Sequence, residues 1–140
     1  MTGVINGTDG RKMSKSYGNT IALFATDEEI RKAVMSIVTN SEGIPTNVFA
    51  IHKMLYQATG KSVDELTILY GSNTKNFKFL KESLIQDLQA FIRPMRERRE
   101  KLAKNRNKVI KILAKGGKKA GKKANKTLEK VKEVIGVDLN

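Results

Sequence analysis

Two lysines three residues apart, Lys12 and Lys15, enclose Met13 and Ser14 and are followed by Ser16, with Gly10 and Gly18 on either side. Lysine carries a compact ammonium on a flexible stem, so a pair at this spacing can follow a moving phosphate group. The Ser14 and Ser16 hydroxyls add hydrogen-bond donors between the charges, and the glycines let the backbone bend. Such a segment can close over a triphosphate, where a pre-positioned cation counts most on a leaving group that gathers charge. The plainer alternative is a basic surface turn. For this chain's lysine, serine and methionine content the pentapeptide arises by chance on the order of once in several thousand chains, which favours the chemical reading.

Nothing else in the chain competes as a catalytic centre. There is no cysteine and a single histidine, His52, which argues against any zinc site and leaves no metal-ligand set. His52 follows Ile51 within an apolar helical pattern, so it reads as a packed or half-exposed helix residue and not as a catalytic one. No apolar run is long enough to cross a bilayer, and the N-terminus lacks the order of a signal peptide, so a cytoplasmic location without a membrane partner is expected.

Charge is distributed very unevenly. Residues 1–92 hold 10 Lys/Arg against 9 Asp/Glu, whereas residues 93–132 hold 17 against 3. A basic block at the end of a balanced chain points to a polyanionic partner, because neutralising phosphates releases condensed counterions. A solvated helix face or a solubilising tail is the alternative.

The elements that must position these residues read as mainly α: the lysine loop followed by a helical bundle with one long, proline-kinked helix. Thr2–Asn6 has the character of a strand end. Thr26-Asp27-Glu28-Glu29 is a capping-box sequence, after which Ile30, Val34 and Ile37 recur on one face. Gly43-Ile44-Pro45 breaks that helix, and Asn47 is expected to cap a second one running to Gly60. Ser62-Val63-Asp64-Glu65 is a second capping box, and its helix is expected to end by Gly71. Phe77, Leu80, Leu84, Leu88, Phe91 and Met95 mark a long helix from near Thr74, kinked but not stopped by Pro94. Its line resumes at Leu102, Val109 and Leu113, with an end expected at Gly116-Gly117. A last helix sets Ala120, Ala124, Leu128, Val131 and Ile135 in a stripe expected to pack, opposite a lysine face.

Lys12–Ser16 resembles the KMSKS signature of class I aminoacyl-tRNA synthetases. The wider run from Asp9 to Ile21 is similar to bacterial tryptophanyl-tRNA synthetases. So are Glu29–Thr39, Asn47-Val48-Phe49 and Phe91–Arg99, and the resemblance covers nearly the whole chain. It implies the C-terminal half of such an enzyme, with the nucleotide-binding fold, the HIGH-type motif and the tryptophan pocket in a missing N-terminal half. The implied reaction activates tryptophan with ATP and Mg2+ to an adenylate plus pyrophosphate, then charges the tRNA for tryptophan; the fragment alone would be inactive.

By the same resemblance, Lys12 and Lys15 are the catalytic pair that neutralises the β and γ phosphates of ATP. Met13, Ser14 and Ser16 complete the ATP-binding loop, and Asp9, Gly10, Gly18 and Asn19 shape it. Residues 1–25 would close the catalytic domain, and residues 26–140 would form the helical, anticodon-binding-type domain. Arg93, Arg96, Arg98, Arg99, Lys101 and Asn105 are the tRNA-binding candidates. Arg98 and Asn105 lie near the apolar line of the long helix, where snorkelling stems account for them as well as an RNA contact does. The full enzyme would be a homodimer and the fragment a monomer. The alternative function is a basic helical nucleic-acid-binding module with no catalytic ancestry.

Overall fold

The computed structural model describes residues 4–39 and 43–137. Among the described residues a 3-10 turn at Lys15–Tyr17 is followed by five α-helices: α1 (Asp27–Met35), α2 (Thr46–Thr59), α3 (Val63–Ser72), α4 (Phe77–Ala103) and α5 (Arg106–Ile135). The mainly α expectation holds. Of the expected strand end, Thr2 and Gly3 lie outside the described residues, and Asn6 makes one isolated antiparallel bridge with Lys12. The chain divides into two compact units, 1–97 and 98–140.

The first unit holds the loop and a core drawn from four helices. Thr26 accepts from the Glu29 amide (3.2 Å) and its own amide donates to the Glu29 carboxylate (2.7 Å), closing the capping box that starts α1. That register turns Ile30 and Val34 inward, with Ile37 just beyond. Val48, Ile51 and Leu55 of α2, Leu66 and Tyr70 of α3, and Leu80, Leu84, Ile85, Leu88 and Ile92 of α4 complete the core. Each such aliphatic side chain contributes about 1.5–3 kcal/mol by leaving water.

Polar bonds fix how α1 and α4 meet. Lys81 donates to the Met35 and Ile37 carbonyls (2.9 and 2.8 Å), satisfying acceptors that the end of α1 leaves open. At the other end Asp27 receives Arg93 and Arg96 (both 2.8 Å), and Arg96 also donates to the Ala25 carbonyl (2.6 Å).

Three expectations about boundaries are corrected. Asn47 does not cap α2: the cap position is Pro45, and Asn47, already inside the first turn, spends its side chain on other partners. The long helix passes through Pro94 as expected but ends at Ala103, not at Gly116-Gly117. Asn105 accepts from the Lys108 amide (3.0 Å) and starts α5, which then runs through Gly116, Gly117 and Gly121. Glycine lowers helix stability by about 1 kcal/mol relative to alanine but stops a helix only where it turns left-handed. None of these three does so, whereas Gly136 at φ 69° does and ends α5.

The last stripe is also corrected. No residue of α5 is buried, and Leu128, Val131 and Ile135 are exposed. An apolar stripe packs only where a facing surface takes it, and periodicity alone does not supply that surface.

His52 is fully buried and structural. Its Nε2 lies 2.9 Å from Asp87 Oδ2 and its Nδ1 lies 3.0 Å from the Tyr70 hydroxyl. A carboxylate only accepts, so the proton sits on Nε2 and Tyr70 donates to Nδ1: a neutral ring with both nitrogens satisfied. Lys61 holds the other Asp87 oxygen at 2.7 Å. Burial pushes the His52 pKa below its ordinary 6.5, outweighing the pull of Asp87. Burial would raise the Asp87 pKa, but the bonds from Lys61 and His52 prevail and lower it.

The unfolded chain takes up a proton at His52 near 6.5 and the folded chain does so only at lower pH, so this contribution is complete above 6.5 and is lost on acidification below it. The melting temperature is expected to fall between pH 7.5 and 5.5, and to fall less in His52→Gln, which keeps a donor and an acceptor but does not titrate. Equal slopes in the two proteins would exclude His52 as the source.

Candidate phosphate-binding loop

The loop is held in shape by hydrogen bonds that leave Lys12 and Lys15 exposed. The chain enters through Asn6, whose bridge with Lys12 is reinforced by Met13 donating to the Ile5 carbonyl (2.8 Å). Gly7 donates to the Arg11 carbonyl (2.7 Å), closing a tight turn in which Gly10 takes φ 82°. Beyond the pentapeptide the 3-10 turn ends at Gly18, left-handed at φ 64°.

Asn19 is the buried centre of this arrangement, 2% exposed. Its Oδ1 accepts from the Ser14 amide (2.8 Å), and its Nδ2 donates to Asp9 (2.7 Å) and to the Lys12 carbonyl (3.1 Å). One carboxamide thus bonds to both sides of the loop. Asp9 also accepts from the Arg11 amide and guanidinium (3.0 and 2.8 Å). The Asn19 bond first, then Arg11, draw the Asp9 carboxyl down to about 2, so it is ionised throughout the neutral range.

On this frame Lys12 and Lys15 are both exposed, Met13 and Ser14 are half-buried, and the Ser14 and Ser16 hydroxyls lie 2.8 Å apart. Neither lysine ammonium meets a carboxylate within salt-bridge distance among the described residues. Arg11 is turned away by Asp9 and lies over the Tyr17 ring, 4.7 Å from its centroid. The loop therefore presents two ammonium groups and two hydroxyls with the neighbouring guanidinium tied back, an arrangement that can receive an oxyanion. No group of three or more acidic or histidine side chains among the described residues could hold a metal ion.

The tRNA-binding candidates differ in their burial and in the partners they have. Arg93 and Arg96 are engaged with Asp27, and Arg96 is largely covered. Arg98, Arg99 and Lys101 are exposed on the last turns of α4, and Asn105 caps α5. The lysines of α5 are exposed along its length, apart from half-buried Lys132.

Two residues outside the sequence-based set shape the loop. A side chain at Gly7 would place its Cβ 2.4 Å from the Asn19 carboxamide, a contact no spacing rule reveals. Asn47 meets the loop from α2, whereas its residue type near a helix start predicts only a cap.

The profile of a family described as tRNA synthetases class I (W and Y) matches residues 1–131. The chain belongs to this family of class I tRNA synthetases. Among similar family members, a tryptophan–tRNA ligase of Fusobacterium nucleatum is 36% identical over 139 residues, covering 96% of this chain and 42% of the relative. One from Campylobacter jejuni is 33% identical over 141 residues, covering 96% and 44%. A crystal structure of tryptophanyl-tRNA synthetase from Campylobacter jejuni, complexed with ADP and tryptophan, superposes with a TM-score of 0.76 at 33% identity over 96% of this chain and 44% of that one. The chain spans less than half the length of these relatives. Family membership does not favour the alternative of a basic module without catalytic ancestry.

Proposed function

We propose that the chain acts as part of a tryptophan–tRNA ligase, supplying the loop that neutralises the ATP phosphates and helices that bind the tRNA for tryptophan. The observation that carries this reading is the Asn19-braced loop, with Lys12 and Lys15 turned outward, in a chain similar to tryptophan–tRNA ligases. A relative solved with ADP and tryptophan supports a nucleotide at this family's site.

Lys12 and Lys15 take up the charge that builds on the β and γ phosphates as pyrophosphate leaves, and Ser14 and Ser16 donate to phosphate oxygens. Their contribution is electrostatic, so neither lysine has to titrate. By the family resemblance Met13 would face the adenine, while Asp9, Gly10, Gly18 and Asn19 would keep the loop in shape. ATP brings its Mg2+ with it, and no residue described in this chain is assigned to the metal. The work is divided as catalytic-domain loop in residues 1–25 and anticodon-type helices in 26–140. The remaining partner is the nucleotide-binding half, in a cytoplasmic enzyme that is a homodimer when whole; the chain by itself is a monomer. Positioning ATP and tryptophan for in-line attack is a large share of catalysis and falls to that half. Tryptophan-dependent ATP–pyrophosphate exchange by the 140-residue chain alone is accordingly expected at background, and clear exchange by the purified chain would contradict this division.

For RNA, the exposed Arg98, Arg99 and Lys101 and the lysines of α5 are the phosphate-contacting candidates. Arg93 and Arg96 bond to Asp27 and Asn105 caps α5, so these three contact RNA through the donors that remain or by exchanging partners. If the basic segment contacts tRNA, log affinity falls with log salt by about 0.7 to 0.9 for each phosphate neutralised. Titrating anticodon stem-loops at two salt concentrations measures that slope. Arg98→Ala is expected to reduce it by about one unit if Arg98 holds a phosphate. If Arg98 reads a base, the variant instead narrows the cognate preference by about 1–3 kcal/mol, by analogy with base contacts in duplexes. A salt-independent affinity would remove the RNA role.

A further inference from the structure

Asn47 stands 28 positions after Asn19 in the chain, yet its carboxamide reaches the base of the lysine loop. Its Oδ1 accepts from Asn6 Nδ2 (3.1 Å), and Asn6 is the residue paired with Lys12. Its Nδ2 donates to the Val38 carbonyl (3.1 Å), in the segment that follows α1. The Val38 amide in turn donates to the Thr8 carbonyl (2.9 Å), and the Thr8 amide donates to the Asn19 carbonyl (3.0 Å). Asn47 Nδ2 also lies so close to Gly10 that a Cβ there would be 3.3 Å away. A continuous run of hydrogen bonds therefore joins the first turn of α2, the segment after α1 and both flanks of the loop.

We propose that Asn47 is a positioning residue for the phosphate-binding loop, clamping the loop base to α2 and the segment after α1 so that loop and helices move as one body. The role needs a side chain that accepts on one side and donates on the other within a single short carboxamide. Asparagine meets that demand; aspartate keeps only the acceptor and alanine neither. Because the clamp acts on the loop's base and leaves the ammonium groups untouched, its loss shifts the lysines without removing a charge. The proposal rests on the phosphate role of the loop for its functional meaning, and the clamp is measured separately from that role.

The test uses the 140-residue chain, with amide hydrogen exchange for the clamp and titration with inorganic pyrophosphate for the loop's function. In Asn47→Ala the Met13 and Ser14 amides are expected to exchange about tenfold faster, as befits the loss of one or two net hydrogen bonds, while Leu84 and Ile85 in α4 keep their protection. Asn47→Asp is expected to fall between wild type and alanine. Asn6→Ala, which removes the partner from the loop side, is expected to give the same local pattern and serves if Asn47→Ala does not fold. Pyrophosphate affinity is expected to drop severalfold in the clamp variants and in Lys15→Ala. Unchanged exchange at Met13 and Ser14, or equal acceleration in α4, would overturn the clamp. Lys15→Ala binding pyrophosphate as wild type does would instead remove the phosphate role, leaving the exchange pattern to decide the clamp.

Discussion

Alanine at position 15, in a full-length tryptophan–tRNA ligase carrying this segment, is expected to slow adenylate formation by roughly two to three decades, at nearly unchanged tryptophan affinity. The reason is where the ammonium does its work. Lys15 is exposed, meets no carboxylate among the described residues, and lies on a turn capped by Gly18, so in the absence of phosphate its charge is already solvated. Its interaction grows as negative charge collects on departing pyrophosphate, and a contact that strengthens in the transition state appears in kcat more than in substrate binding. Lys12→Ala is expected to act in the same direction. Single-turnover adenylation separates chemistry from binding. A change confined to the Michaelis constant for tryptophan would contradict the assignment.

Gly7→Ala is expected to impair the same step without touching any charged group. The new Cβ would lie 2.4 Å from the Asn19 carboxamide and 2.5 Å from its backbone carbonyl, and the carbonyl is held by the Thr8 amide. Relief requires Asn19 to move, which releases the Ser14 amide and the Lys12 carbonyl together. A displacement of about 1 Å in positioned catalytic groups is enough to cost on the order of a hundredfold in rate. Core residues such as Leu84 lie in other elements, so the helices are expected to keep most of their melting temperature. A variant with near wild-type single-turnover adenylation would show that the loop does not depend on the Asn19 seat.

Much of the helical framework could be read directly from residue pattern. The capping box at Thr26–Glu29 and the Ile30, Val34, Ile37 face are local signals, and local signals survive folding because the bonds involved are made within one turn. Gly60 as a stop and the passage of α4 through Pro94 were legible for the same reason. The failures came where a residue had two competing uses. The spacing sets Asn105 near the apolar line of the long helix, yet it starts a helix; the Gly116-Gly117 pair predicts a stop, yet a glycine pair continues a helix when neither residue turns left-handed. At the loop, the lysines, serines and Asn19 were visible as chemistry, but Gly7 and Asn47 act through contacts between distant positions that carry no period. The ion pairs of Arg93 and Arg96 with Asp27 were not legible either, because an arginine's charge reads the same whatever anion it meets.

The account rests on this loop acting as the pyrophosphate-stabilising loop of a tryptophan–tRNA ligase, and a chimaera tests that most directly. This chain is put in place of the segment it matches in the Fusobacterium nucleatum tryptophan–tRNA ligase, 42% of that protein, and tryptophan-dependent ATP–pyrophosphate exchange is measured. The account predicts exchange well above background that falls by roughly two to three decades in the same chimaera carrying Lys15→Ala. A chimaera that folds and binds tryptophan and ATP yet shows no exchange, or exchange indifferent to Lys15, would contradict it.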